Sequence, residues 1–267
     1  MSGDSVGHVA DYTDDLRLAH VLADTVERVT MPRFRSNDLV VKSKPDMTPV
    51  TDADIDAEEL IRGQLKRARS RDAVVGEEGG ETGGGSRRWI VDPIDGTKNY
   101  VRGVPVWATL ISLYEGEEPI VGIVAAPALG RRWWAAKGAG AYTGRSLSSA
   151  SRIHVSSVGK LDDASLSYSS LSGWKDLGKL DAFMGLTESV WRTRAYGDFW
   201  SYMLLAEGGV DIALEPELAV YDMGALVPIV LEAGGRFTSL DGVDGPWGGN
   251  ALATNGLLHD EVLARFA

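Results

Sequence analysis

Three apolar β-segments, 107–114, 120–125 and 131–136, follow one another with only glycine- and proline-containing turns between them. Turns that short leave no room for crossover helices, so this stretch is expected to fold as a meander. From about 146 the pattern changes. Apolar β-segments at 165–168, 190–195, 212–214, 236–238 and 251–253 alternate with helical stretches at 177–186, 199–207, 223–233 and after 257. Such alternation is what helices packed against a sheet require. The expected class is therefore α/β, with a soft boundary near 147 separating an N-terminal α+β half (1–146) from a C-terminal α/β half (147–267).

Ahead of the meander, Leu16, Ala19, Ala23 and Val26 make an i, i+3, i+7 stripe, which predicts an amphipathic helix over 13–29 closed by Pro32. A second helix is expected over 52–69, capped by Thr51 or Asp52, with Ile55, Leu60, Ile61 and Leu65 on its buried face. A short strand at 73–75 leads into 76–85, ten residues with six glycines and three glutamates. That composition cannot bury a side-chain core and predicts a mobile loop.

Twenty-seven Lys and Arg stand against 38 Asp and Glu, a formal charge of −11. This balance disfavours nucleic acid or an anionic membrane as partner, and an anionic substrate would need bridging cations. Cysteine is absent, which removes disulfides, thiolate nucleophiles and zinc–thiolate sites. No stretch reaches the ~18 apolar residues of a membrane span, and residues 1–15 lack the basic start and apolar centre of a secretory signal. A cytoplasmic location is the resulting expectation. His8, His20, His154 and His259 are scattered, with no H-x-x-x-H pair, and read as ordinary surface or core histidines.

Chemistry concentrates in Trp89-Ile90-Val91-Asp92-Pro93-Ile94-Asp95-Gly96-Thr97-Lys98-Asn99. A strand over 89–91 carries Asp92 to its end, Pro93 fixes the turn, and Asp95 arrives on the same side. Two hard carboxylates facing one point suit magnesium, which takes one or two carboxylates together with water and substrate phosphate. Gly96 permits close approach, and the amides of Gly96 and Thr97 make an anion seat if a helix starts there. D-P-x-D alone is more often a helix-capping acidic turn. Asp52, Asp54 and Asp56 imitate the start of a calcium loop, but Ala57 and Gly63 stand where such a loop needs glycine and glutamate. D-A-D-I-D is also similar to the nucleophile motif of haloacid-dehalogenase phosphatases. However, 47–51 is a poor strand and Asp56 stands fifth, so a phospho-aspartate is not expected.

The longer string D-P-I-D-G-T after a strand resembles the metal-binding signature of the inositol monophosphatase superfamily, the lithium-sensitive phosphatases. Val50-Thr51-Asp52-Ala53-Asp54 is similar to its V-T-x-A-D segment, Gly76-Glu77-Glu78 to its G-E-E, and Val220-Tyr221-Asp222 with Ala225 to its W-D-x-A-A. Tyr221 and Gly224 depart from the family's usual Trp and Ala. The resemblance runs from about residue 40 to the end. It implies a layered α-β-α-β-α sandwich of the inositol monophosphatase and fructose-1,6-bisphosphatase type, a homodimer, and two or three Mg2+ per site.

Carried over by position, it implies that Glu77, Asp92 and the Ile94 carbonyl bind one magnesium and that Asp92, Asp95 and Asp222 bind a second. Glu77 would border a third. Ile94, Asp95, Gly96 and Thr97 would seat the phosphate, with Glu77 and Asp222 beside it. Asp54 would hydrogen-bond Thr97, and with Glu77 the pair would serve catalysis by metal-activated water, without a protein nucleophile. Plainer roles stand beside these: Glu78 as a solvated loop charge, Asp54 as a first-turn charge on the helix dipole, Asp222 as a helix cap, and Lys44 and Lys98 as surface lysines.

R-A-Y-G-D-F at 194–199, P-V-W-A at 105–108 and R-R-W-W-A-A at 131–136 resemble the branch of the family that cleaves histidinol phosphate in bacterial histidine biosynthesis. That small phosphate monoester carries a cationic amine and an imidazole, which carboxylates would meet. Asp198 and Glu215 are expected to contact its nitrogen-bearing end, and Arg194 to contact the phosphate or pair with Asp198. Trp133 and Trp134 are expected in hairpin packing or a subunit interface. An inositol 1-phosphate, sugar or nucleotide phosphatase is the alternative within the enzymes. A non-catalytic scaffold that binds a phosphorylated metabolite is the alternative outside them.

Overall fold

The computed structural model describes residues 12–45 and 47–267; His8 and the stretch 1–11 lie outside them. Helix α1 (Thr13–Arg33) buries Ala19, Leu22, Ala23 and Val26, and it carries Pro32 inside its last turn rather than stopping before it. A proline there has no N–H to donate to the carbonyl four residues back, so the ladder loses one bond just before the helix ends. Strands β1 (Val41–Ser43) and β2 (Pro49–Thr51) form a small antiparallel hairpin, so the segment read as a poor strand does pair. Thr51 caps α2 (Asp52–Ala68) through a capping box closed by Asp54.

Strands β3 (Ala73–Gly76) and β4 (Gly80–Thr82) are joined by a tight turn. The glycine-rich stretch is thus a hairpin rather than an unpaired loop. Strand β4 buries no side chain, so its pairing left no apolar pattern to read. Next come β5 (Arg87–Asp95), α3 (Thr97–Val101), β6 (Ala108–Glu115), β7 (Glu118–Ala126), β8 (Arg131–Ala136), β9 (Gly140–Thr143) and β10 (Ser151–Ile153). The C-terminal half supplies β11 (Ser165–Ser167), α4 (Ser172–Asp176), α5 (Leu180–Ser189), β12 (Arg192–Arg194), α6 (Asp198–Ala206) and β13 (Ile212–Glu215). After these follow α7 (Val220–Met223), α8 (Leu226–Glu232), β14 (Arg236–Thr238), β15 (Ala251–Thr254) and α9 (His259–Leu263).

An eight-stranded sheet, ordered β10-β9-β8-β7-β6-β5-β3-β4, contains the expected meander, and only β3 runs parallel to its neighbour β5. A five-stranded sheet is ordered β12-β11-β13-β15-β14. Helices α1 and α2 cover one face of the large sheet through Leu22, Val26, Ile61, Val91, Ile111 and Ile123. Its other face packs on α6 and α8, which also touch the inner face of the small sheet through Ala213, Phe237 and Ala253. Trp174, Phe183 and Val262 of α4, α5 and α9 cover the outer face of the small sheet. The layers therefore run α, β, α, β, α, as the family resemblance implied.

Trp133 and Trp134 point to opposite faces of the large sheet and are buried in its two cores, which is hairpin packing. The expected helix over 223–233 is broken in two. Tyr114 donates its hydroxyl to the Gly224 carbonyl at 2.9 Å, and a Cβ on Gly224 would lie 2.8 Å from Ser112 Oγ. The chain is thus pressed on the sheet between α7 and α8, where Pro228 offers no N–H to the Gly224 carbonyl four residues back and the Tyr114 hydroxyl takes its place.

Candidate active site

The D-P-I-D string is the irregular end of β5. Its pairing with β6 shifts register between Asp92 and Asp95, a bulge that brings both carboxylates to one side. The Ile94 amide donates to Asp92 Oδ1 at 3.0 Å, and Thr109 holds the Pro93 carbonyl at 2.9 Å. Gly96 then adopts φ +82°, and a Cβ there would sit 3.1 Å from the Val106 carbonyl, so glycine is required. Helix α3 starts at Thr97, as the phosphate-seat reading needed.

Asp222, third residue of the single turn α7, folds back to accept the Ala219 amide at 2.7 Å, so it closes that turn rather than capping a helix from Met223. The same carboxylate, with those of Asp92 and Asp95, places one oxygen each within 4.8 Å of the others. Glu77 lies outside that trio in this arrangement, because Lys44 Nζ binds its Oε1 at 2.5 Å and Glu78 Oε1 at 2.7 Å. Lys44 and Glu78 are therefore paired and largely shielded rather than solvated, contrary to the surface reading of both. Their ammonium and carboxylate come from a hairpin and a turn far apart in sequence.

Asp54 is fully buried and accepts the Thr51 amide at 2.8 Å and the Thr51 hydroxyl. Its Oδ1 lies 3.3 Å from Thr97 Oγ1, which also donates to the Ile94 carbonyl at 3.0 Å. The first-turn position and the contact with Thr97 coexist. Burial is the leading cause that raises the Asp54 pKa to about 6, Asp222 to about 7 and Glu215 to about 8. Asp92 and Asp95 are raised well above the usual carboxylate range by burial and then by their acidic neighbours, Glu77 foremost for Asp92 and Asp198 for Asp95. An all-oxygen donor set under mutual repulsion fits a hard divalent cation, which would lift the penalty.

On the far side, the Phe199 amide donates to Asp95 Oδ2 at 2.9 Å, bolting the start of α6 to the acidic cluster. Asp198 takes φ +48° and accepts Asn99 Nδ2–H at 2.9 Å. Burial raises its pKa, and Lys98 opposes that shift. Glu215 closes β13, is buried, and its Oε1 has no hydrogen-bond partner among the described residues. Arg194 is exposed and donates to the Thr193 carbonyl at 2.8 Å; among the described residues it forms no ion pair with Asp198. His20 and His259 are core residues, and His154 is on the surface.

Glu58 and Asn99 belong to the site's framework and were not singled out from the sequence. A signal existed for Glu58, which lies i+4 from Asp54 on the same face of α2. None existed for the Asn99 contact, which spans 99 residues.

A five-layer α/β sandwich with an acidic, oxygen-only cluster beside a glycine turn defines the class of cation-dependent phosphomonoesterases. Residues 11–266 match the model of the inositol monophosphatase family, and the chain belongs to that family. It is 66% identical over 257 residues to the histidinol-phosphatase of Streptomyces coelicolor, covering 95% of this chain and 97% of the relative. To the histidinol-phosphatase of Mycobacterium tuberculosis it is 60% identical over 253 residues, covering 94% and 97%. Among solved structures, the inositol monophosphatase of Zymomonas mobilis superposes with a TM-score of 0.84 at 33% identity, covering 96% and 99% of the two chains.

Proposed function

We propose that the chain hydrolyses L-histidinol phosphate to L-histidinol and phosphate, a reaction of histidine biosynthesis, with Mg2+ as cofactor. The observation that carries this reading is the 66% identity, across almost the whole of both chains, to the Streptomyces coelicolor histidinol-phosphatase. Asp198 and Glu215 support it, because one half-buried and one buried carboxyl beside the acidic cluster suit a substrate with a cationic end.

In this reading Glu77, Asp92 and the Ile94 carbonyl hold one cation and Asp92, Asp95 and Asp222 a second, with a third beside Glu77. When bound, the cations polarise the phosphoryl oxygens, acidify water and stabilise the leaving oxygen. Ile94, Asp95 and the amides of Gly96 and Thr97 seat the phosphate. Thr97 Oγ1, hydrogen-bonded to Asp54 Oδ1, orients the attacking water and passes its proton toward the carboxylate. Asp198 and Glu215 face the amine and imidazole, and Arg194, unpaired with Asp198, is assigned to the phosphate.

Residues 1–146 supply most cation ligands, and 147–267 supply Asp222 and the groups that choose the substrate. We place the enzyme in the cytoplasm as a homodimer acting on a small soluble ester rather than on nucleic acid or membrane. No helix of the described residues is long and apolar enough to cross a membrane.

Phosphate release from purified protein with Mg2+, measured on L-histidinol phosphate, inositol 1-phosphate, fructose 1,6-bisphosphate and AMP, tests the reading. Histidinol phosphate should be turned over fastest by a wide margin. A faster reaction on any of the others overturns the substrate, and no release from any of them overturns the enzyme.

A further inference from the structure

Glu77 sits on the turn between β3 and β4, and a ligand on a turn is only as well placed as the backbone beneath it. One buried side chain grips that backbone. Glu58 of α2 is 2% exposed, and its carboxylate accepts three hydrogen bonds of 2.7 Å each. Oε2 takes the Glu78 amide, and Oε1 takes both the Gly79 amide and Arg62 Nε–H. Arg62, one helical turn further on, continues the grip along the hairpin, donating to the Gly80 carbonyl at 2.5 Å and to the Thr82 hydroxyl at 2.8 Å. Gly76 lies so close that a Cβ on it would collide with the Glu58 carboxylate.

Strand β4 contributes no buried side chain, so the hairpin cannot hold its shape by packing. What fixes the turn backbone is three pairs to β3 together with Glu58 and Arg62, while Lys44 holds the side chains of Glu77 and Glu78. The same face of α2 carries Asp54, which reaches Thr97 in the turn that follows β5. Helix α2 is thus a rigid bar with one carboxylate set against each of the two turns that form the cluster.

We propose that Glu58 is a positioning residue: by binding the two amides that follow Glu77, it fixes where the Glu77 carboxylate presents itself to a divalent cation. The inference rests on Glu77 being a cation ligand. Glu58 touches neither cation nor substrate, and its effect passes through the backbone of Glu78 and Gly79. Losing it leaves the chemistry intact but loosens the ligand, so the defect should be overcome by raising the cation concentration.

The test compares wild type with Glu58→Ala, Glu58→Gln and Glu77→Gln, reading the Mg2+ concentration for half-maximal turnover, kcat at saturating Mg2+, and the rise in Tm on adding Mg2+ without substrate. Outer-shell partners of metal ligands typically cost about 10- to 100-fold in affinity when removed. Glu58→Ala should show a shift of that order with kcat largely restored at high Mg2+ and a smaller Mg2+-induced rise in Tm. Glu58→Gln, which keeps an acceptor oxygen, should fall between it and wild type. If Glu77→Gln weakens Mg2+ binding while folded Glu58→Ala matches wild type, the inference is overturned and the ligand reading stands. If Glu77→Gln itself leaves Mg2+ binding unchanged, the ligand reading fails and takes the inference with it. Should Glu58→Ala fail to fold, Arg62→Met, which removes the guanidinium from Glu58 and from Gly80, carries the test. A severalfold weaker Mg2+ response supports the grip, and an unchanged one overturns it.

Discussion

Replacing Asp198 by asparagine removes one negative charge from the site while keeping its shape. Asp198 holds φ +48°, a left-handed conformation that asparagine tolerates better than most residues. The bond from Asn99 Nδ2–H at 2.9 Å needs only an acceptor oxygen, which the amide retains. What disappears is the attraction for the substrate's ammonium or imidazolium. Two unit charges ~4 Å apart are worth ~4 kcal/mol at an effective dielectric of about 20. Desolvation offsets part of that, and a hydrogen bond to a charged group contributes about 1.5–3 kcal/mol net. At 1.4 kcal/mol per decade, kcat/KM for histidinol phosphate should fall roughly 10- to 150-fold. The control is a phosphate ester without an amine, such as glycerol 2-phosphate. After burial, Asp198 is the leading cause that raises the pKa of Asp95 and of Glu215, so removing its charge relieves the cluster rather than burdening it. Turnover of the control ester should therefore stay within about twofold, far inside the loss worked for the charged contact. Phosphate release on both esters gives the two ratios. Equal losses would refute the reasoning, because Asp198 would then be acting on the cluster and not on the amine.

Asp92→Asn should lower kcat by roughly 10³-fold, about 4 kcal/mol of transition-state stabilisation, with unchanged far-UV circular dichroism. Because it also removes a buried charge, its metal-free Tm should equal or exceed that of wild type and should no longer rise with Mg2+; a retained Mg2+ response would count against Asp92 as a ligand. Without metal, stability should depend on pH with a definite sign. Asp54, Asp222 and Glu215 have folded pKa values raised to about 6, 7 and 8, above their unfolded values near 4. The native state then binds more protons than the unfolded chain between pH 4 and pH 8, and stability falls as pH rises through that window. Thermal melts of metal-free protein should give a higher Tm at pH 5.5 than at pH 8, with the gap narrowed by Mg2+. The opposite slope would mean that the carboxyls are not strained by burial.

What the sequence made legible was local. Strand β8 falls on 131–136 because alternate residues of one short apolar run serve two different cores. The D-P-I-D-G-T turn could be read because its two carboxylates lie within four residues of one another and its glycine is obligatory. Strands β1 and β4 were obscure because all three residues of each are exposed and leave no hydrophobic period, and β2 buries only Val50 and Thr51, too few to show one. The break between α7 and α8 had a local signal in Pro228, which has no N–H for the Gly224 carbonyl four residues back; what the sequence hid is that the Tyr114 hydroxyl, 110 residues away, satisfies that carbonyl instead. Lys44 shows the same limit. A lysine beside a turn looks solvated until the fold brings two glutamates 33 and 34 residues downstream onto its ammonium.

The electrostatics of the acidic cluster join catalysis and substrate choice into one problem. Glu77, Asp92, Asp95, Asp198, Glu215 and Asp222 come from a hairpin turn, the end of β5, the start of α6, the end of β13 and α7, and their charges add to burial in raising the pKa values of Asp92, Asp95, Glu215 and Asp222. Among the described residues, no lysine or arginine neutralises the whole group. Lys44 pairs with Glu77 and Glu78 and eases Asp222, and Lys98 opposes the shift at Asp198. Compensation must come from ligands, and two kinds fit two ends. Divalent cations suit the oxygen trio of Asp92, Asp95 and Asp222, whereas an organic cation suits Asp198 and Glu215, which lie beyond Asp95. An ester with a neutral leaving group satisfies the first end only. It leaves the second end either charged and unpaired or protonated, and in both cases the attraction a cationic substrate would gain is forfeited. Discrimination on this account needs no steric barrier against inositol phosphates. It follows from which carboxyls remain uncompensated when the phosphate is in place.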